Sequence, residues 1–253
     1  MRNNFKEKNI PIVIFCGGKG TRLGSLTKKT PKPMIKVNKY PLVLNIIFNY
    51  YKYGFKNFYL LTGYKHNIFS NYLKKFSKEK IYSKNFETYK NVFKKNISIN
   101  LVYTGLNTQK KNRLLKFFQL FKNFENFMLT YGDGIANINF SKLLKFHLKH
   151  KKIGTITAVH PPSRFGELKF KNLKLNYLAE KPVMSEGYIN GGFFVFNKNV
   201  FNFFSKNKKD FEHQVVNDLC KKKEMVINFY NKQWICVDNE RELNFLKKKI
   251  KNL

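Results

Sequence analysis

Between Phe15 and Met34 the sequence reads FCGGKGTRLGSLTKKTPKPM: Gly17, Gly18 and Gly20 crowd into four residues, Arg22 follows closely, and Lys32 is held between Pro31 and Pro33. Glycines let a main chain take angles closed to other residues and approach a ligand closely, and the N–H groups they bare form an anion cradle. Arginine grips phosphate oxygens in pairs, and lysine supplies a compact point charge. Together they suit a triphosphate whose charge must be held while a phosphoryl bond shifts. Two other phosphate motifs do not fit. No Gly-Lys-Ser/Thr occurs, which excludes the Walker loop, and Leu23 stands where the dinucleotide pattern GxGxxG needs its third glycine.

The loop must be positioned by a strand before it, and the apolar run IPIVIF (10–15) reads as one. LVLNIIFNYYKYG (42–54) has helical spacing closed by Gly54, and KNFYLLTG (56–63) reads as the next strand, which completes a βαβ unit. NISINLVYT (96–104), ENFMLTYGDG (125–134) and GTITAVHPP (154–162) give further strands, and NFSKLLKFHLKHKK (139–152) gives a helix with Ser141 as its expected cap. Strands alternating with helices predict an α/β fold, a Rossmann-like, mostly parallel sheet flanked by helices. The glycine loop then lies at the carboxyl end of the sheet, where open α/β folds bind ligands. GELKFKNLKLNYLAEKP (166–182) has the character of a hairpin and predicts a small antiparallel addition in the C-terminal third. The lysine-rich stretch 74–95 reads as an exposed excursion.

Composition narrows the class of partner. The 253 residues bound one large core, the expectation being a single domain over 1–253. With 43% hydrophobic and 17% aromatic residues the chain is too apolar to be disordered. No apolar run approaches the roughly 20 residues of a membrane span. Cys16, Cys220 and Cys236 show neither CxxC pairing nor zinc-site spacing and read as reduced thiols of a cytoplasmic protein. The net charge of +34 points on its face to nucleic acid. Only five of the 49 basic residues are arginine, however, and the lysines are scattered among abundant Asn, Ile, Tyr and Phe. That is a bias of genome composition and a solvated lysine coat, and it is preferred to a nucleic-acid groove. His147 and His150 have no third ligand nearby and are read as surface residues without a role.

GGKGTRL followed by PKPM and YPL, then YGDG (131–134), PPSRFGELKF (161–170), EKP (180–182), INGGFFVF (189–196) and WICVD (234–238), in that chain order, resembles the signature of the sugar-1-phosphate nucleotidyltransferases. YGDG, PPSRFG and INGGFFVF together are most similar to the glucose-1-phosphate cytidylyltransferase branch. The resemblance implies the nucleotide-diphospho-sugar transferase fold and attack of a sugar-1-phosphate oxygen on the α-phosphorus of a nucleoside triphosphate. The expected substrates are CTP and glucose 1-phosphate, giving CDP-glucose and pyrophosphate for deoxysugar and O-antigen polysaccharide synthesis. The expected cofactor is Mg²⁺, and a homo-oligomer is expected. Another base or sugar-1-phosphate is the alternative within the class. Outside it stands a non-catalytic nucleotide- or RNA-binding relative, against which the intact Arg22, Lys32, Asp133 and Asp238 argue.

Carried over by motif, Phe15, Cys16, Gly17, Gly18, Lys19, Gly20, Thr21 and Arg22 enclose the nucleotide with Thr108, Arg113 and Gly132, while Arg22 and Lys32 balance the charge of the reacting groups. Glu180 would bind sugar hydroxyls, Lys181 the sugar phosphate, and Asn190 and Gly191 would line the sugar pocket. Asp133 and Asp238 are the expected metal ligands, since Mg²⁺ takes one or two carboxylates and fills its remaining positions from phosphate and water. Asp133 also suits an Asp-Gly turn, and Asp238 the N-cap of a helix over NERELNFL. The chain departs from the cytidylyltransferase pattern in one place. Where two glycines are expected just before Arg113, it has TQKKNR (108–113).

Overall fold

The computed structural model describes residues 10–161, 167–171, 174–179, 187–205 and 210–250. Strand β1 (Ile12–Cys16) is buried along its whole length. Ile12, Ile14 and Cys16 face one apolar core, and Val13 and Phe15 face the other. A strand apolar on both faces needs cover on both sides. Helices α1 (Leu42–Tyr51) and α2 (His66–Phe76) supply side chains to the first core. Helix α3 (Lys110–Leu120) sends Leu114 and Phe117 into the second. Each fully buried Leu or Phe contributes about 1.5–3 kcal/mol.

The other strands of three or more residues are β2 (Asn57–Thr62), β3 (Glu79–Tyr82), β4 (Phe86–Lys90), β5 (Ser98–Tyr103), β6 (Asn126–Tyr131), β7 (Gly134–Ala136), β8 (Gly154–Val159), β9 (Glu167–Lys171), β10 (Lys174–Ala179), β11 (Ile189–Asn197), β12 (Met225–Tyr230) and β13 (Trp234–Cys236). Among the described residues, nine of them form one sheet in the order β12-β8-β11-β6-β1-β2-β5-β4-β3. Seven of these run the same way; only β11 and β4 are reversed, each antiparallel to both of its neighbours. The mostly parallel α/β sheet is therefore present, with β9 and β10 forming the expected antiparallel hairpin. That hairpin is a separate two-stranded sheet, whereas a second antiparallel addition, β3 and β4, extends the large sheet itself beyond β5. This corrects the reading of 74–95 as an exposed excursion: β3 is exposed, but Thr88, Tyr89 and Val92 are buried.

Parallel strands open their carboxyl ends on one side. The ends of β1 and β6 lie beside each other in register, Phe15 opposite Tyr131. The reversed β11 begins at that same end with Asn190 and Gly191. Past β6 the chain turns at Gly132–Asp133 into β7, which pairs with β13, and the Val237 amide donates to the Asp133 carbonyl at 2.9 Å. That short ladder places Asp133 and Asp238 together although 105 positions separate them. Asn239, not Asp238, caps helix α5 (Glu240–Lys249), in a capping box with Glu242.

Helix α4 (Phe140–His150) brings two further corrections. Its cap is Asn139, whose side chain accepts from the Lys142 amide, while Ser141 donates to the Tyr53 carbonyl. His147 is buried, not superficial, on the stripe Phe140, Leu143, Leu144, His147. Its Nδ1 meets the Thr155 hydroxyl at 2.8 Å, and His150 Nε2 meets the same oxygen at 2.7 Å. His150 Nδ1 accepts from the Lys152 amide, so a neutral His150 donates through Nε2 and the Thr155 proton goes to His147. Burial, reinforced by His150, pushes His147 down to about 4.

Candidate active site

Each glycine of the loop has its own reason. Gly17 lies flat against Arg113, where a Cβ would come 2.1 Å from Nη1. Gly20 has φ +66°, and a Cβ there would come 2.9 Å from Cβ of Lys32. Gly18 has no neighbour within 4 Å of such an atom, so its bare backbone faces open space that a ligand can enter. After the loop, Pro31 and Pro33 set a tight 3₁₀ turn over Lys32–Met34. That turn buries Lys32 to 8% exposure.

The Lys32 ammonium lies between two carboxylates, 2.7 Å from Asp133 Oδ2 and 2.6 Å from Asp238 Oδ1. Arg22 reaches the other oxygen of Asp238 at 2.5 Å from a side chain that is 77% exposed. Burial works against the Lys32 charge, but Asp133 and Asp238 outweigh it and hold the group above the ordinary lysine range. The exposed Arg22 pair contributes little stability, which leaves that guanidinium free to exchange partners. Asp133, Cys236 and Asp238 offer ligand atoms within 4.8 Å of one another. Burial, with Asp133 and Asp238 adding to it, raises the Cys236 thiol well above its usual range, so it stays protonated. Burial and then Asp133 do the same to Cys16. The cluster is thus a pair of hard oxygen donors, a set suited to Mg²⁺, and neither cysteine is a poised nucleophile.

Arg113 is 4% exposed and donates to the carbonyls of Thr62 at 3.0 Å, Gly105 at 2.9 Å, Gly17 at 3.2 Å and Leu106 at 3.3 Å, and to the Thr104 hydroxyl. Its guanidinium thus ties α3 to the glycine loop and the ends of β2 and β5. Thr108 donates to the Thr104 carbonyl at 2.7 Å, and its hydroxyl sits 2.6 Å from where Gly105 would carry a Cβ. In place of a glycine pair, TQKKNR starts α3 at Lys110.

One cleft of about 670 Å³ gathers these groups. Phe15, Cys16, Gly17, Gly18, Gly20, Thr21, Arg22, Lys32, Thr108, Arg113, Gly132, Asp133, Asn190, Gly191 and Asp238 all line it. Lys19 is exposed and does not. Glu180 and Lys181 lie outside the described residues. The cleft also contains residues that sequence reasoning missed, namely Lys110, Tyr131, Asp210, Glu212 and Trp234. Tyr131 follows from YGDG and Trp234 from WICVD, but Asp210 and Glu212 had as their only signal two acids close together in a lysine-rich chain.

A glycine loop at the carboxyl end of a parallel sheet, facing a lysine set between two aspartates, defines a phosphate-handling α/β site, and the comparisons agree. The chain belongs to the Nucleotidyl transferase family, whose sequence profile matches residues 12–239. It is 32% identical over 241 residues to the glucose-1-phosphate cytidylyltransferase of Salmonella typhimurium, covering 92% of this chain and 93% of that protein. It is 27% identical over 215 residues to a mannose-1-phosphate guanyltransferase of Aspergillus oryzae, covering 83% of this chain and 55% of that one. In fold it is similar to HddC from Yersinia pseudotuberculosis, at TM-score 0.67 and 19% identity, over 95% of this chain and 99% of that one. Among the described residues no helix is long and apolar enough to cross a membrane.

Proposed function

We propose that this sugar-1-phosphate nucleotidyltransferase uses CTP and glucose 1-phosphate, forms CDP-glucose and releases pyrophosphate. A phosphate oxygen of the sugar-1-phosphate forms the new bond to the α-phosphorus, and the α–β bridging bond breaks. No side-chain nucleophile is required, and catalysis is positioning plus charge stabilisation. The observation that carries this reading is Lys32, buried and fixed between Asp133 and Asp238 in the cleft that the open backbone of Gly18 also lines. Asp133 and Asp238 would hold Mg²⁺, which supplies charge neutralisation to the phosphates when bound. Lys32, released from its carboxylates, would turn its ammonium to a phosphate oxygen, and Arg22 would do the same from the exposed side. The amides of the glycine loop would receive the remaining phosphate charge.

The similarity to a guanyltransferase and the helix start at Lys110 favour a second reading, the same reaction with another base or hexose 1-phosphate. The test is pyrophosphate release from purified protein with Mg²⁺ and either glucose 1-phosphate or mannose 1-phosphate, comparing CTP, UTP, dTTP, GTP and ATP. Preference for CTP supports the first reading. Preference for GTP with mannose 1-phosphate replaces it with the second.

A further inference from the structure

A second part of the cleft is lined by Lys110, Asp210 and Glu212, where the start of α3 meets a π-helical turn. Lys110 and Lys111 open α3, at the positive end of the helix dipole, where lysine is unfavourable unless paired. Both are pinned to the turn Glu212–Val216 and to Asp210, two residues before it. Lys110 bonds Glu212 and lies 3.5 Å from Asp210, while buried Lys111 reaches Gln214 at 2.8 Å. π-Turns interrupt helices at functional sites more often than elsewhere, and this one places Glu212 on the cleft.

The two carboxylates differ in what they have left to offer. Asp210 uses both oxygens within the protein, Oδ1 for the Lys111 amide at 3.3 Å and Oδ2 for the Lys110 ammonium. Glu212 receives Lys110 and the Tyr131 hydroxyl on the same atom, Oε1. Its Oε2 has no partner among the described residues, although the side chain is only 27% exposed. The support is stiff: the Tyr131 ring stacks on Phe15 with centroids 6.0 Å apart, and Gly192, at φ +80°, leaves 2.6 Å between its missing Cβ and the ring. One carboxylate oxygen is locked and the other is presented to the cleft.

We infer that Glu212 is a substrate-reading residue whose Oε2 accepts a hydrogen bond from a neutral donor on the ring portion of a substrate, with Lys110 and Tyr131 as the residues that position it. The donor is a ring hydroxyl of the sugar or an exocyclic amino group of the base. A carboxylate cannot donate, so a carbonyl at the same place would be repelled, which makes this contact one that selects. The inference rests on the nucleotidyltransferase reading and adds to it a residue outside the family motifs that the sequence displays.

The test is steady-state kinetics of pyrophosphate release by wild type, Glu212→Gln, Glu212→Ala and Lys110→Ala, varying each substrate in turn, with CTP and UTP as alternative triphosphates. Loss of the acceptor should raise the KM of one substrate by about 10-fold or more while the other changes by less than about 2-fold. A rise confined to glucose 1-phosphate identifies a sugar hydroxyl; a rise confined to CTP, with the CTP preference over UTP erased, identifies the amino group. Glu212→Gln, which keeps one acceptor oxygen, should fall between wild type and Glu212→Ala. Lys110→Ala should move the same KM in the same direction, and it keeps the question decidable if Glu212→Ala does not fold. Unchanged KM values, or a loss in kcat alone, overturn the inference while leaving the reaction standing. A wild type that releases no pyrophosphate with any pairing of triphosphate and sugar phosphate overturns both.

Discussion

The cleft has two walls, each with one lysine between two carboxylates. Lys32 meets Asp133 and Asp238, and Lys110 meets Asp210 and Glu212. They differ in burial and in balance. The Lys32 side chain is 10% exposed and Arg22 joins it, so two cations face two anions. The Lys110 side chain is 37% exposed and reaches both carboxylates, Lys111 beside it reaches Gln214, and Oε2 of Glu212 keeps no partner among the described residues. Under the proposed reaction the first wall would trade its internal ion pairs for phosphate and metal. The second offers an unshared carboxylate oxygen, which accepts a hydrogen bond and repels phosphate. The same residue types thus offer different atoms, exchangeable cations on the first wall and an unshared carboxylate oxygen on the second.

The largest effect should come from the first wall. Lys32→Met removes a fixed cation from the reacting phosphates and should lower kcat by about 10²–10³-fold, measured as single-turnover pyrophosphate release. Arg113 joins the walls, so Arg113→Met should cost about 3 kcal/mol, because buried carbonyls lose their donor; a urea midpoint reads it directly. An equal loss in kcat with unchanged stability would show that Arg113 acts on substrate instead.

A titration outside both walls sharpens the contrast. His147 sits near 4 in the folded protein, below its ordinary value of 6.5. Between those values the unfolded chain binds more protons, so stability rises with pH, is fully present above 6.5 and is lost as pH falls toward 4. Its contribution is on the order of 3 kcal/mol. Unfolding free energies from pH 7 to pH 4 should show it, and His147→Gln should flatten the slope. The smallest effect belongs to the second wall. Gly192→Ala should destabilise by about 1–2 kcal/mol through strain at positive φ and should displace Tyr131, which near-ultraviolet circular dichroism detects.

Legibility in the sequence followed locality. The glycine loop, Lys32, Asp133 and Asp238 were readable because motif and strand end coincide within a few residues. The strand order was not, since nothing in INGGFFVF says that β11 enters reversed between β8 and β6. The second wall was equally hidden, because Lys110 and Glu212 meet across 102 positions and neither belongs to a motif. His147 is the instructive miss. Its spacing from Phe140, Leu143 and Leu144 is the buried stripe of an amphipathic helix, so the signal was present and the polar side chain outweighed it. Asn139 displaced Ser141 as cap for a reason of frame alone, the helix beginning two residues earlier than a Ser141 cap implies.

The most direct test of the account is mass spectrometry of the products formed from a triphosphate and sugar 1-phosphate with Mg²⁺, comparing wild type with Asp133→Ala. The account predicts a nucleoside diphosphate sugar and pyrophosphate in equal amounts from wild type, and neither from the variant. A nucleoside mono- or diphosphate without sugar attached, or a product made equally well by Asp133→Ala, would contradict it.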